Sequence, residues 1–495
     1  MNVKPLILIF VILNISFVMW VVFRQSNQQE SQKNTSSQQV SDVVDDLVST
    51  KTLENARYDL SDQAKNLNVI VISLDALRYD VTGLDGQNSA TPNLLEFASE
   101  CVVFHNSTSA APWTLPSHMS VWTGRWPSIH QVTNKLRLLA SEQMVENSLS
   151  VGIATYPDLL IEHGLIAGGF TGGAGVQSKY GFGRGFDTYI DDRYFGGFDY
   201  SIPLAISWMR ENRQQQKPFF AFVHGYDVHG QYELSEGSLN SLRSKHKSKL
   251  EGNIEENAKL REQGLQKIQK PGDEADMSEH LSEEDALFLK DVYLGKVKAA
   301  DQRVGNLLQE LRSSGLLERS IVVIMSDHGD EFMEHNALDH GATLYEEQLH
   351  VVTMIRFPSY GKRQDVFDPV RTIDIFPTVF DSLNIEGPKG VDGTSLLPLL
   401  RGQRLDLPVF AETDYRLYRH LRSYRDGDFK LILDLQDGEK QLYDLSKDPE
   451  EKNDISSSEP RITYEMEQIL RKWMEKSHTN PQDYVGVKQN PIDIF

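Results

Sequence analysis

Three strand-like runs in this chain each end in residue types that ligate metals. Val69-Ile70-Val71-Ile72 leads into Ser73-Leu74-Asp75, Phe219 to Val223 leads into His224, Asp227 and His229, and Ile321 to Met325 leads into Ser326-Asp327-His328. Short apolar runs bounded by polar residues read as buried parallel strands. In open α/β sheets, ligands gather outside the carboxyl ends of such strands. One Asp after a strand is commonly only a turn or a helix cap, but three coincidences of this kind favour a site. Asp75 and Asp327 offer hard oxygens and His328 a nitrogen, a set that suits a divalent cation. A bound cation lowers the pKa of a hydroxyl it holds, and this singles out Thr114, in Ala111-Pro112-Trp113-Thr114-Leu115-Pro116-Ser117-His118, as a nucleophile. Pro116 fits a first helical turn, so Thr114 also reads as a helix cap. The two readings are compatible, because a helix N-terminus presents N–H groups to an anion.

The elements that position these residues follow from the alternation of buried strands with helical patterns such as Asp285 to Arg312, which implies an α/β sheet with helices on both faces. Residues 233–284 are highly charged and poor in large apolar side chains, and read as an insertion flanking the site. From about Phe410 the character changes. Phe429 to Leu433 and Gln441 to Tyr443 are strand-like, Asp437-Gly438 is a turn signal between them, and Tyr464 to Met474 is a closing helix. The expected organisation is a catalytic domain over 66–409 and a small C-terminal α+β subdomain over 410–495. At the other end Leu6 to Phe23 is an almost unbroken apolar run, just long enough to span a bilayer, with no small-residue cleavage pattern after it. It reads as an uncleaved signal anchor over 1–24, followed by a polar stalk over 25–65. The expected location is the cytoplasmic (inner) membrane, single-pass, with catalysis outside the cytoplasm.

Composition narrows the partners. The chain has 495 residues, 39% of them hydrophobic, enough for one large core. With 50 Lys and Arg against 71 Asp and Glu, the formal charge is -21, which argues against a nucleic-acid partner. Cys101 is the single cysteine, so an internal disulfide framework and a cysteine zinc cluster are both excluded. The expected partners are the membrane, through the N-terminal helix, and an anionic ester substrate; the oligomeric state is not read from the sequence.

The chain resembles the sulfatase-like branch of the alkaline phosphatase superfamily from about Asn68 to Ser456. The resemblance is carried, in order, by the segment Ser73-Leu74-Asp75-Ala76-Leu77-Arg78-Tyr79-Asp80, the Thr114 helix entry with Thr123-Gly124-Arg125, and Gly185-Phe186-Asp187. It continues through Asp227-Val228-His229, Ser326-Asp327-His328-Gly329, His340 with Leu344-Tyr345-Glu346-Glu347, Asp374 to Pro377, Asp392-Gly393, and Leu442-Tyr443-Asp444-Leu445 with Asp448-Pro449. It implies a large alkaline-phosphatase-like, mostly parallel sheet sandwiched by helices. It also implies a metal site of Asp75, Thr114, Asp327 and His328, with Thr114 as nucleophile. His229 and His340 match positions that hold a basic group against the substrate anion or bind a second metal, which Asp227 would join. Arg78 resembles a substrate-binding arginine of a phosphodiesterase-like branch, with packing as its alternative.

Two positions depart from the pattern. True sulfatases resemble one another in a Cys or Ser followed by x-Pro-x-Arg and converted to formylglycine; here Thr114 and His118 stand at those places. Oxidising the secondary alcohol of Thr gives a ketone, so no formylglycine is expected. Ala76 stands where many sulfatases carry a further metal-binding Asp, which favours Mn or Zn, with Ca and Mg as further candidates. These departures place first a metal-dependent phosphoester or phosphodiester hydrolase or phosphoglycerol-type transferase, with His118 or His229 as general acid and His340 and His229 stabilising charge. The alternatives are a sulfuric ester hydrolase using unmodified Thr114, and an inactive family member serving as a scaffold.

Overall fold

In the computed structural model, strand β1 (Asn68–Leu74) lies at the centre of the main sheet. The structure describes residues 67–477, apart from residues 88 and 359 and the segments 139–142, 215–216, 231–233, 268–276, 278–279 and 417–418. All seven residues of β1 are buried, and their run of Val and Ile explains why: a strand covered on both faces needs apolar side chains on both. The other strands in chain order are β2 (Val102–Thr108), β3 (Ile166–Phe170), β4 (Thr188–Ile190), β5 (Phe219–Gly225), β6 (Ser320–Ser326), β7 (His350–Val351), β8 (Thr353–Arg356) and β9 (Gln364–Arg371). Their order is β7-β2-β8-β6-β1-β5-β3-β4, with β9 on β2. The β6-β1-β5-β3-β4 stretch is parallel, and β7 and β8 run antiparallel to β2.

The register sets up the chemistry. Leu74 pairs with both Gly225 and Ser326, so Asp75, the loop after Gly225 and Asp327 leave the sheet side by side. The three strand ends expected from sequence are therefore neighbours in space.

Six of the helices bear on the site and its surroundings, in chain order α1 (Thr114–Thr123), α2 (Phe198–Gln214), α3 (Glu236–His246), α4 (Ile254–Lys267), α5 (Glu283–Ser313) and α6 (Pro460–Lys476). One apolar cluster, which includes Val71, Phe222, Val323 and Trp122, lies on one face of the sheet. A second, including Ile70, Ile72, Val223 and Ile324, lies on the other. Alternate residues of β1 thus serve opposite cores, as the strand pleat requires. Helix α5 begins in a capping box between Ser282 and Asp285 and buries a stripe that includes Phe288, Leu289, Val292, Val297 and Val304 against the second core. The fold is the expected alkaline-phosphatase-like α/β arrangement.

A second, antiparallel sheet carries β10 (Val409–Tyr415), β11 (Arg419–Asp426), β12 (Phe429–Asp434) and β13 (Lys440–Asp444) in chain order, with α6 packed on it through Met466, Leu470 and Met474. The turn between β12 and β13 passes through Gly438 at φ +81. Within the insertion, α3 and α4 are formed.

The expected anchor over 1–24 and the stalk over 25–65 lie outside the described residues. Among the described residues no helix is long and apolar enough to cross a membrane. The expected single-pass, inner-membrane location therefore finds no support among the described residues.

Candidate active site and metal centre

Thr114 is the first residue of α1, and Trp113, in extended conformation, is the cap residue; the Thr114 side chain does not cap the helix. Its hydroxyl instead donates to Asp75 Oδ2 at 3.0 Å and lies 3.4 Å from His328 Nε2. Ser117 anchors the same turn, donating to the carbonyl of Asp327 at 2.8 Å. Every residue of α1 is buried, so the helix is wedged between the strand ends and fixed there.

Asp75, Asp327 and His328 are fully buried, and their ligand atoms lie within 4.8 Å of one another. The His328 Nδ1–H donates to the carbonyl of Gly329 at 3.0 Å, which leaves Nε2 free to ligate, 3.5 Å from Asp327 Oδ2 and 3.9 Å from Asp75 Oδ2. Asp75 Oδ1 and Asp327 Oδ2 have no hydrogen-bond partner. Buried carboxylate oxygens without partners are costly unless a cation satisfies them, so this donor set fits a divalent metal. Burial, then the neighbouring Asp327, pushes the Asp75 carboxyl well up. Burial also acts on Asp327, but the His328 and His118 imidazoles outweigh it and hold that carboxyl below the usual carboxylate range. Burial pushes His328 down to about 4, leaving it neutral and able to ligate.

Thr114 opens onto a cavity of about 780 Å³, whose lining also includes His229, His340, Trp113, Tyr226 and Tyr415. His340 Nδ1 faces Asp330 Oδ1 at 2.6 Å and Asp339 Oδ1 at 2.8 Å. Burial opposes its charge, but Asp339 and Asp330 outweigh burial and raise its pKa well above that of free histidine. His229 lies beside it, ring centroids 5.0 Å apart, and is pushed down first by burial and then by His340. The two imidazoles of the cavity wall are thus shifted in opposite directions.

Three expected site residues are placed differently. His118 is fully buried, with Nε2 2.8 Å from Ser73 Oγ and Nδ1 3.0 Å from the Thr114 carbonyl and 3.3 Å from Asp327 Oδ2. Both nitrogens are engaged and the ring does not line the cavity, so His118 braces α1 against Asp327 instead of protonating a leaving group. Arg78 gives its guanidinium to Asp80 at 2.8 and 2.9 Å, to Glu334 at 2.7 Å and to the Asp330 carbonyl at 2.9 Å, which places it in a structural ion cluster. Asp227 accepts from the backbone N–H of Phe198 at 2.6 Å and pairs with Arg303, fixing the start of α2. Both its oxygens are occupied, so it does not converge with His229 and His340 on a second metal.

Other contributors carried little signal in the sequence. His224, at the end of β5, reads as a packing residue, yet neither ring nitrogen has a hydrogen-bond partner and Nε2 lies 3.7 Å from Asp75 Oδ2. Tyr226 accepts from the Gly175 N–H at 2.9 Å and lines the cavity. Phe195 holds a left-handed backbone at φ +62 and presses its ring on His229, with centroids 4.4 Å apart. Only a non-glycine residue at positive φ marks that strain, and no sequence pattern announces it.

Taken together, the doubly covered sheet, the buried acid-rich metal set at its strand ends and the hydroxyl held against them define an alkaline-phosphatase-like hydrolase architecture. The sulfatase family model matches residues 67–385, and a model of the N-sulphoglucosamine sulphohydrolase C-terminal region matches 333–479. The chain belongs to the sulfatase family. Among curated relatives, arylsulfatase K of Danio rerio is 28% identical over 235 residues, 44% of this chain and 45% of its own length. The match therefore spans less than half of that relative. Delta 4,5-hexuronate-2-O-sulfatase of Bacteroides thetaiotaomicron is 24% identical over 458 residues, covering 85% of this chain and 91% of its own. A solved structure in complex with its substrate D-glucosamine-2-N,6-O-disulfate superposes with a TM-score of 0.68 at 20% identity, over 84% of this chain and 99% of that one. Family membership agrees with the expectation of an enzyme acting on ester bonds. It corrects the ranking that put phosphodiesters and phosphoglycerol transfer first, because these relatives are sulfatases. The error has a physical origin: a metal-held hydroxyl suits either tetrahedral oxyanion ester, so the nucleophile's identity does not discriminate between them.

Proposed function

We propose that this chain is a metal-dependent sulfate-ester hydrolase that uses unmodified Thr114 as its nucleophile, acting on sulfated sugars. The observation that carries the reading is the Thr114 hydroxyl, bonded to Asp75 at 3.0 Å beside His328, at the wall of a cavity in a sulfatase-family fold. The hexuronate sulfatase aligned over 85% of the chain supports the sugar substrate.

Asp75, Asp327, His328 and Thr114 would hold the cation, with Mn or Zn suited to two carboxylates and an imidazole. When bound, the metal supplies Lewis-acid stabilisation of the nucleophile and of the sulfuryl oxygens. Asp75 and α1 orient the hydroxyl. His340 would present positive charge to the sulfate oxygens, and His229 lines the same wall beside it. Attack releases the Oγ1 proton along its hydrogen bond to Asp75, forms an Oγ1–S bond and breaks the S–O bond to the sugar, whose oxygen takes up one proton in exchange. Water then attacks sulfur, breaks the Oγ1–S bond and releases sulfate, and the threonine hydroxyl is restored.

The test pairs aryl sulfate and 2-O-sulfated unsaturated hexuronate substrates with aryl phosphate mono- and diesters, for the wild-type protein and Thr114→Ala. Sulfate release that falls at least ~100-fold in Thr114→Ala is expected, as for loss of a group making a covalent intermediate. Mass spectrometry of the Thr114 peptide should find it unmodified. Faster phosphate than sulfate turnover, or sulfate turnover indifferent to Thr114, would overturn the reading.

A further inference from the structure

The insertion helix α4 lines this cavity with Ala258, Lys259, Arg261, Glu262 and Gln263. Arg261 is a cavity-lining residue, and its Nε lies 3.2 Å from Asp339 Oδ2. Asp339 spends its other oxygen on His340, accepting from the backbone N–H at 2.8 Å and facing Nδ1 at 2.8 Å. Asp339 itself stands at φ +77, a left-handed conformation that a non-glycine residue keeps only when its surroundings fix it. Arg261 also donates from its far end to the Tyr415 hydroxyl at 2.6 Å. Tyr415 meets Trp113, the residue before Thr114, edge to face at 5.3 Å. Tyr415 also covers Gly341, next to His340, so closely that a Cβ there would lie 2.7 Å from its ring.

Arg261 therefore joins three parts of the chain: the insertion, the segment bearing His340, and the C-terminal sheet strand β10 that backs the nucleophile. We propose that Arg261 is a positioning residue, which orients His340 through Asp339 and makes the insertion a constituent of the active site, beyond its role of covering the cavity. A long charged stretch with no chemistry of its own would otherwise carry no reason to place an arginine here. The proposal rests on the sulfatase reading for its kinetic readout, but the geometry it asserts has a readout that needs no turnover.

The experiment uses the full chain with Arg261→Ala, Arg261→Lys, Asp339→Asn and the double variant Arg261→Ala/Asp339→Asn, each first checked for cooperative melting. The expected kinetic result is a kcat for sulfate release reduced by about 10-fold or more in Arg261→Ala with KM changed by less than about 3-fold, since the residue acts without touching the substrate. Arg261→Lys should recover part of that loss. The double variant should be no worse than the poorer single one, the non-additivity expected of residues acting in one chain. Additive losses, or a rise in KM with kcat intact, would overturn the proposal; the latter would make Arg261 a direct substrate contact. Independently of turnover, the downfield imidazole N–H proton of His340, assigned by its loss in His340→Gln, should shift or exchange away in Arg261→Ala and persist in Arg261→Lys. An unchanged resonance refutes the positioning role even in a protein that hydrolyses no sulfate ester. Absent sulfate turnover with the resonance shift intact would refute the sulfatase reading alone.

Discussion

Gly175 is the most direct probe of how tightly Thr114 is held. Its backbone conformation is open to any residue, so only space decides the outcome. A Cβ at this position would lie 2.9 Å from Thr114 Cβ, 3.0 Å from Thr114 Cγ2 and 3.3 Å from the Tyr226 hydroxyl. Ordinary carbon contacts need about 3.5–4.0 Å, so Gly175→Ala must push Thr114 or its own loop by roughly 0.6–1 Å. Thr114 has little freedom to yield, because its β-branched side chain is stiff at χ1 and its hydroxyl is committed to Asp75 at 3.0 Å and His328 at 3.4 Å. Misplacing a reacting group by about 1 Å costs on the order of 100-fold in rate. Overpacking a buried site costs about 1–3 kcal/mol of stability. Gly175→Ala should therefore lower kcat for sulfate release by about 10- to 100-fold and reduce stability by a modest amount in denaturant titration. Gly237→Ala, in helix α3 with nothing within 4 Å of a Cβ, is the control: it should leave kcat unchanged and, if anything, raise stability slightly. A Gly175→Ala protein whose kcat stays within about threefold of wild type would show that Thr114 is not confined as argued, and the claim that its placement sets the rate would fall.

Chelation should lower the thermal midpoint of the wild-type protein and abolish sulfate release, because Asp75 and Asp327 would lie buried with oxygens no hydrogen bond satisfies; Mn or Zn should restore both better than Ca, read by melting curves with each metal in turn. Arg78→Met should cost roughly 2–4 kcal/mol in urea titration, discounted for the partly exposed Asp80, and leave KM unchanged; a large rise in KM would return Arg78 to the substrate. His335 is held above its ordinary pKa: burial lowers it, but its 2.6 Å pairing with Glu347 outweighs burial and raises it to about 9. The folded state therefore binds a proton more tightly than the unfolded chain, so this stabilisation is full below about 6.5 and fades as pH rises through about 9. The difference in stability between wild type and His335→Gln should shrink over that window, and a constant difference from pH 6 to pH 10 would refute the assignment.

What could be read from the sequence divides along a physical line. Residues attached to strand ends were legible, because a short buried strand has a strong apolar signature and its register carries whatever follows it to one edge of the sheet. Asp75, Asp327 and His328 meet for that reason. Thr114 was legible through Pro116 and the helix it opens, although the cap fell to Trp113. Arg78, Asp227 and His118 have the right types in the right neighbourhoods, yet each is taken by partners far away in sequence: Glu334, Arg303 and Asp327. Only tertiary contacts decide whether a charged side chain faces a ligand or another side chain.

The same limit explains the least legible part of the site. The insertion over 233–284 is charged throughout, and charge without apolar periodicity reads as a solvated face. Arg261 is indistinguishable in composition from Arg243, which pairs with Glu236 on its own helix at 2.9 Å. What separates them is the partner. Asp339 is a buried carboxylate with one oxygen already given to His340, and leaving the other unpaired in that setting would be costly. The strand and helix signals of the core therefore locate Thr114 and the carboxylate and imidazole set that could hold a metal. The groups that orient the basic wall of the cavity are set by unpaired charge in the folded protein, a quantity that does not exist until the chain has folded.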